Sequence, residues 1–162
     1  MPEEMRADHS PYEELVAPDT GIVGEGQRLG AEPLKAFFAR TPRVAVAFSG
    51  GTDSAYLLAA AQRAGCAVGA YLMETAFQAP FELADARQVA DQLGVPLRVV
   101  RADVLKRADI CANPPDRCYL CKGLIFGALR EAAAADGFPV LADGTNASDD
   151  PARRPGFRAL AE

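Results

Sequence analysis

No stretch of this sequence carries the run of about 20 apolar residues that a membrane-crossing helix needs, so no span is expected. The opening "MPEEMRADHS" lacks the basic-then-apolar order of a secretory signal, and a cytoplasmic location is expected in its place. Positive charge is not in excess: 17 Lys and Arg stand against 22 Asp and Glu, a formal net charge of -5. That balance argues against a surface built to coat nucleic acid. Two familiar phosphate-binding signatures are missing as well. G-x-x-x-x-G-K-[ST] does not occur, and the glycine turn described below has no G-x-G-x-x-G spacing. Cysteines number only four, and in a reducing compartment they are expected as thiols. There is no internal repeat and no low-complexity tract beyond "EAAAA".

What is present suffices for one domain with a sizeable core. The chain has 162 residues, 49% of them hydrophobic and 24% charged. Residues 1–30 are polar, acidic and glycine-punctuated, and read as a tail; 31–162 read as the folded domain. "AEPLKAFFAR" (31–40) predicts a short helix with Leu34, Phe37 and Phe38 on one face. The valine-rich "RVAVAF" from Arg43 suits a strand buried on both faces. "DSAYLLAAAQRAG" predicts a helix ending at Gly65, "CAVGAYLM" a second strand, and "FELADARQVADQLG" a helix stopped by Gly94. "PLRVVRAD" (96–103) predicts a third strand, 118–137 a long helix stopped by Gly137, and "FPVLADG" (138–144) a fourth strand. Strands alternating with helices imply an α/β fold, a parallel sheet covered on both faces through right-handed crossovers. A four-stranded sheet leaves an edge open beyond "ASDDPARRPGFRALAE", so the fold is expected to be incomplete at its C-terminal end or completed by a partner.

"SGGTDS", Ser49 to Ser54, lies between the first strand and its helix, where ligands bind in open parallel sheets. Gly50 and Gly51 let the main chain approach an anion closely, and the amides of residues 51–54 open a helix whose N-terminus favours negative charge. Ser49, Thr52 and Ser54 add hydroxyls. The pattern reads as a phosphate cradle; the plainer alternative is a tight turn capped by Thr52 or Asp53.

"SGGTDS" resembles the signature of the PP-loop ATP pyrophosphatases, which split ATP between its α- and β-phosphates and adenylate a carboxylate or carbonyl oxygen. The resemblance implies a Rossmann-like adenine-nucleotide α-hydrolase sheet, ATP as substrate, Mg²⁺ sharing the phosphate charge, and Asp53 near both.

A second motif is "NPPDRCYLCK", Asn113 to Lys122. Asp116 is placed to cap a helix opening near Arg117, and Cys118 and Cys121, three apart, share a side of its first turn. The helix terminus, Arg117 and Lys122 are expected to favour thiolate. The pair supplies half of a zinc or iron–sulfur site, or else two small apolar residues on a buried helix face. Cys111 is a candidate third ligand, while Cys66, opening an apolar strand, is expected in the core.

Together with "LADGTNASDD" and "RRPGFRAL", these motifs resemble in their order the LarE family, over residues 43–162. LarE proteins are ATP-dependent sulfur transferases of nickel-pincer cofactor biosynthesis. The likeness implies adenylation of a carboxylate of a pyridinium mononucleotide, with release of pyrophosphate, then displacement of AMP by sulfur to give a thiocarboxylate. It implies a pyrophosphate loop of Ser49, Gly50, Gly51, Thr52, Asp53 and Ser54. Met73 would lie against the adenine through its backbone, with Asp143, Gly144, Thr145 and Asn146 beside the nucleotide. Lys122 would hold a substrate phosphate, Asp53 would lie near Mg²⁺, and Asp143 would contact Mg²⁺ or the ribose; the plainer alternatives are a solvated helix lysine for Lys122 and a β-turn aspartate for Asp143. Cys118 suggests the members that carry sulfur on an iron–sulfur cluster; the cysteine central to sulfur delivery lies downstream of Glu162 in that family. A homo-oligomer is expected, with no nucleic-acid partner. The rival readings are a tRNA-thiolating PP-loop enzyme and a non-catalytic adenine-nucleotide-binding module.

Overall fold

Val44 and Val46 point to one face of strand β1 (Arg43–Ala47) and Ala45 to the other, all three fully buried. The structure is a computed structural model that describes residues 33–145. The tail expected over 1–30, Asn146 and everything after it lie outside the described residues.

Helix α1 (Leu34–Arg40) precedes β1 and buries Phe38. Then follow α2 (Thr52–Arg63), β2 (Ala67–Glu74), α3 (Pro80–Leu93), β3 (Leu97–Arg101), a short 3₁₀ turn (Val104–Lys106), α4 (Ala108–Cys111), α5 (Arg117–Ala135) and β4 (Leu141–Asp143). The expected alternation is therefore present, with boundaries moved by a few residues. The 3₁₀ turn and α4 were not anticipated. They contain three and four residues, too few to impose a period, yet they bury Val104 and Ile110.

The sheet is four-stranded and parallel, in the order β3-β2-β1-β4. Leu57, Leu58 and Ala61 of α2 and Ala86 and Ala90 of α3 pack with Val44, Val46, Ala70 and Leu72 on one face. Leu129, Ala132 and Ala133 of α5 pack with Ala45, Tyr71 and Met73 on the other. Both faces are covered, as a parallel sheet requires. Because β2 and β4 flank β1 on opposite sides, the chain runs from β1 to β2 and β3 on one side and then crosses back over β1 to β4 on the other. The carboxyl ends of these strands open a crevice there, at the point where ligands bind in such sheets.

The start of α5 departs from expectation. Asp116 occupies the N-cap position, but its side chain makes no capping bond; its backbone sits at φ -96, ψ 14. That conformation is not the extended one from which a capping side chain reaches back to the first-turn amides.

Candidate functional site

Between β1 and α2 the chain turns through Ser49, Gly50 and Gly51. Gly50 has φ +82, a conformation that costs other L-residues about 1–2 kcal/mol, and a Cβ there would sit 3.1 Å from the Ala86 Cβ. Gly51 differs. As the N-cap of α2 it is extended, at φ -78 and ψ 164, so only its missing side chain matters, not an unusual dihedral. No side chain caps this helix, so neither Thr52 nor Asp53 is the N-cap.

The serines organise the turn from within. Ser54 is buried, and its hydroxyl donates to the Gly51 carbonyl at 2.9 Å while meeting the Ser49 hydroxyl at 3.3 Å. The Gly51 amide donates to Ser49 Oγ at 3.3 Å, and the Ser49 amide to Ser54 Oγ at 3.4 Å. The Ser54 proton expected for a ligand is thus used inside the loop, because a buried hydroxyl must find a partner. The first-turn amides of Thr52, Asp53 and Ser54 have no intrahelical acceptor and sit at the positive end of the α2 dipole.

Gly144 closes the opposite wall. A Cβ on it would lie 2.9 Å from the Ser54 nitrogen, so only glycine lets the end of β4 come this near to the first turn of α2. Asp143 spends Oδ1 on the Thr145 amide, at 2.7 Å, which makes it the turn aspartate that its sequence context also allowed.

These parts meet around one cavity of about 530 Å³. It is lined by Ser49, Gly51, Thr52, Asp53, Ser54, Lys122, Asp143, Gly144 and Thr145, with Ala47 and Phe126. A second cavity, about 360 Å³ and almost wholly apolar, adjoins it and shares Ala47, Ser49 and Phe126. Met73 lines this second space, as do Phe48, Leu72, Phe77, Cys121, Ile125 and Leu129. Of the residues expected at the site, Gly50 lines neither cavity but shapes the turn, and Cys118 lines neither. Phe77, Ile125 and Phe126 were not anticipated. The spacing of Cys121, Lys122, Ile125, Phe126 and Leu129 along α5 carried a usable signal, one helical face; the loop bearing Phe77 carried none.

The carboxylates of Asp53 and Asp143, with phosphate oxygens of a bound nucleotide, are the hard donor set that Mg²⁺ takes, so the polar cavity fits that ion. The iron–sulfur expectation fares differently. Cys118 is exposed, whereas Cys121 is half-buried in the apolar cavity. Burial pushes the Cys121 thiol up, against the lowering charge of Arg117, so the expected bias to thiolate does not hold for it. The Cys111 thiol donates instead to the Leu105 carbonyl, at 3.4 Å. Among the described residues no three His, Cys, Asp or Glu side chains converge, and two thiols do not fill a cluster. Cys66 is in the core as expected, its thiol donating to the Thr41 carbonyl at 3.3 Å. No helix among the described residues is long and apolar enough to cross a membrane.

Residues 43–112 match the family described as queuosine biosynthesis protein QueC. The chain is 33% identical over 132 residues to an uncharacterized protein of Synechocystis sp., covering 81% of this chain and 49% of that one. It is 32% identical over 122 residues to the pyridinium-3,5-bisthiocarboxylic acid mononucleotide synthase of Lactiplantibacillus plantarum, covering 74% and 44%. It is 37% identical over 116 residues to the tRNA-specific 2-thiouridylase MnmA of Trichlorobacter lovleyi, covering 63% and 33%. Among solved structures, NMN synthetase from Francisella tularensis shares the fold, with TM-score 0.51 and 15% identity over 62% of this chain and 44% of that one. The chain spans about half the length of the curated relatives it matches.

Proposed function

We infer that this chain, a homologue of the LarE sulfur transferases within the PP-loop ATP pyrophosphatase superfamily, binds ATP at the crevice between β1 and β4 and uses it to adenylate a carboxylate. One observation carries the reading: the loop 49–54, Lys122 and the end of β4 line a single polar cavity that opens beside an apolar one.

The triphosphate lies in the polar cavity, its β- and γ-phosphates on the amides of Thr52, Asp53 and Ser54. The base enters the apolar cavity against the backbone of Met73, and the sugar crosses the shared wall of Ala47, Ser49 and Phe126. Lys122 holds the phosphate of the second substrate, a pyridinium mononucleotide. Its carboxylate oxygen attacks the α-phosphorus; the bond to the β-phosphate oxygen breaks, and the electron pair leaves with pyrophosphate. Asp53 and Asp143 would hold Mg²⁺ in the polar cavity, where the ion would supply charge neutralisation for that departure. The acyl adenylate then carries a good leaving group, AMP, which a sulfur nucleophile displaces to leave a thiocarboxylate. Sulfur delivery is not assigned to Cys118 or Cys121, since the latter lines the apolar cavity and is held as thiol.

Purified chain with Mg²⁺, ATP and a pyridinium carboxylate mononucleotide should release pyrophosphate and form the acyl adenylate without added sulfur, with AMP following only when a sulfur nucleophile is supplied. Release of ADP and inorganic phosphate, or no turnover with ATP bound, would contradict adenylation. The likeness to the 2-thiouridylase favours a second reading, with tRNA as the acceptor. The formal charge of -5 weighs against it, and under the carboxylate reading tRNA neither binds nor stimulates pyrophosphate release.

A further inference from the structure

Beside the apolar cavity the loop between β2 and α3 holds an exposed aromatic ring in a fixed position. Phe77 is 54% exposed, yet its segment is tied at three points. The Phe77 amide donates to Thr75 Oγ1 at 3.3 Å, the Thr75 amide to Gln78 Oε1 at 3.0 Å, and the Gln78 amide to the Thr75 carbonyl at 3.3 Å. Across the opening, the first residue of α5 completes the arrangement: the Arg117 guanidinium carbon lies over the Phe77 ring, 5.9 Å from its centroid. Arg117 also acts electrostatically on Cys121 inside the cavity. Two other Arg–Phe pairs exist among the described residues, Arg40 over Phe37 and Arg43 over Phe138, but none of those four residues lines either cavity.

An aromatic face left in water beside an apolar space, steadied by a guanidinium, is what a planar, π-bearing ligand needs for stacking. Aliphatic or anionic ligands gain little from it. We propose that Phe77 stacks on the base of the nucleotide at the mouth of the apolar cavity, and that Arg117 positions the ring through their cation–π contact. The proposal rests on the ATP reading of the neighbouring cradle; it assigns a base-holding function to Phe77, which lies outside the motifs that suggested that reading, and a positioning role to Arg117 of the second motif. Stacking is indifferent to the base's hydrogen-bonding edge, so the pair contributes affinity for a nucleobase in general and leaves discrimination among bases to the cavity behind it.

The test compares binding of ATP with that of inorganic pyrophosphate, which has no base, to the wild type and to Phe77→Ala, Arg117→Ala and Arg117→Lys. Phe77→Ala should weaken ATP about tenfold and leave pyrophosphate unchanged. Arg117→Ala should weaken ATP several-fold, again without touching pyrophosphate, and Arg117→Lys, which keeps a cation over the ring, should recover part of the loss. Site-resolved alkylation of Cys121 gives a second readout: adenosine should slow it in the wild type and protect less in Phe77→Ala. Equal ATP affinity in the wild type and Phe77→Ala, with pyrophosphate still bound, overturns the stacking proposal and leaves the cradle standing. Equal loss of ATP and pyrophosphate in Arg117→Ala makes Arg117 a general phosphate cation and overturns its positioning role. A wild type that binds neither ligand removes the cradle itself, and this proposal with it.

Discussion

At the scale of single residues, the two glycines of the turn do different work, and substitution separates them. Gly50 is held at φ +82 against Ala86, where a Cβ would also come 3.3 Å from the Ala86 Cα, part of the backbone. Gly50→Ala should therefore cost about 1–2 kcal/mol or more of stability, read as a lower urea midpoint. Gly51 has ordinary dihedrals, and its added Cβ would meet only Ser49 Oγ at 3.4 Å. Gly51→Ala should leave stability within about 0.5 kcal/mol of the wild type while weakening ATP, because the methyl stands in the wall of the polar cavity. The opposite pattern, with Gly50→Ala neutral and Gly51→Ala unfolding, would mean that the turn is built differently. The sequence made "GG" legible as a turn that approaches an anion, but not which glycine bears the strain. That depends on the contact with Ala86 of α3, which is remote in the chain. The inward direction of the Ser54 hydroxyl was likewise invisible, since it follows from burial and not from residue type.

At the scale of elements, α5 is anchored at its far end by a network in which Tyr71 donates to Asp136 Oδ2 at 2.8 Å and Arg98 pairs with the same oxygen at 2.6 Å. Hydrogen bonds from Arg98 and then Tyr71 hold the Asp136 carboxyl below the usual carboxylate range. Burial, reinforced by the Asp136 hydrogen bond, pushes the Tyr71 phenol up from 10.0 to about 12. The signs differ. Asp136 contributes stability above its unfolded value of 3.8, lost as pH falls through its lower folded value. Tyr71 contributes stability below its unfolded value of 10.0, lost as pH rises towards about 12. Asp136→Asn should thus lower the urea midpoint at about pH 7, with the difference from wild type closing as the pH falls below the unfolded value of 3.8. A difference that persists unchanged in acid would show that the charge is irrelevant.

The strands and long helices were legible because valine runs and apolar periods of ten or more residues report on faces directly. The 3₁₀ turn and α4 were not, being shorter than one period. Nor was the strand order β3-β2-β1-β4, for the side on which β4 joins is settled by packing of α5 across the sheet.

At the scale of the whole molecule, a chain with formal charge -5 gathers its candidate phosphate-binding features into one crevice. The crevice exists because β4 joins β1 on the side away from β2, so that α2 and α5 begin on either side of one opening. Residues from four separated stretches, 47–54, 72–78, 121–129 and 143–145, thereby form two adjoining spaces of unlike polarity. Sequence alone identified the polar members of the larger space through their motifs and missed most of the residues lining the apolar one, whose types are mainly shared with the core. The claim underlying all of this is that the first turn of α2 holds the phosphates that ATP gives up. It is tested most directly by a crystal structure with Mg²⁺ and α,β-methylene-ATP, which cannot release pyrophosphate. β- and γ-phosphate density should lie within hydrogen-bonding distance of the Thr52, Asp53 and Ser54 amides, with the base in the cavity behind Phe77. Triphosphate bound elsewhere on the chain, with those three amides turned to water, would contradict that claim.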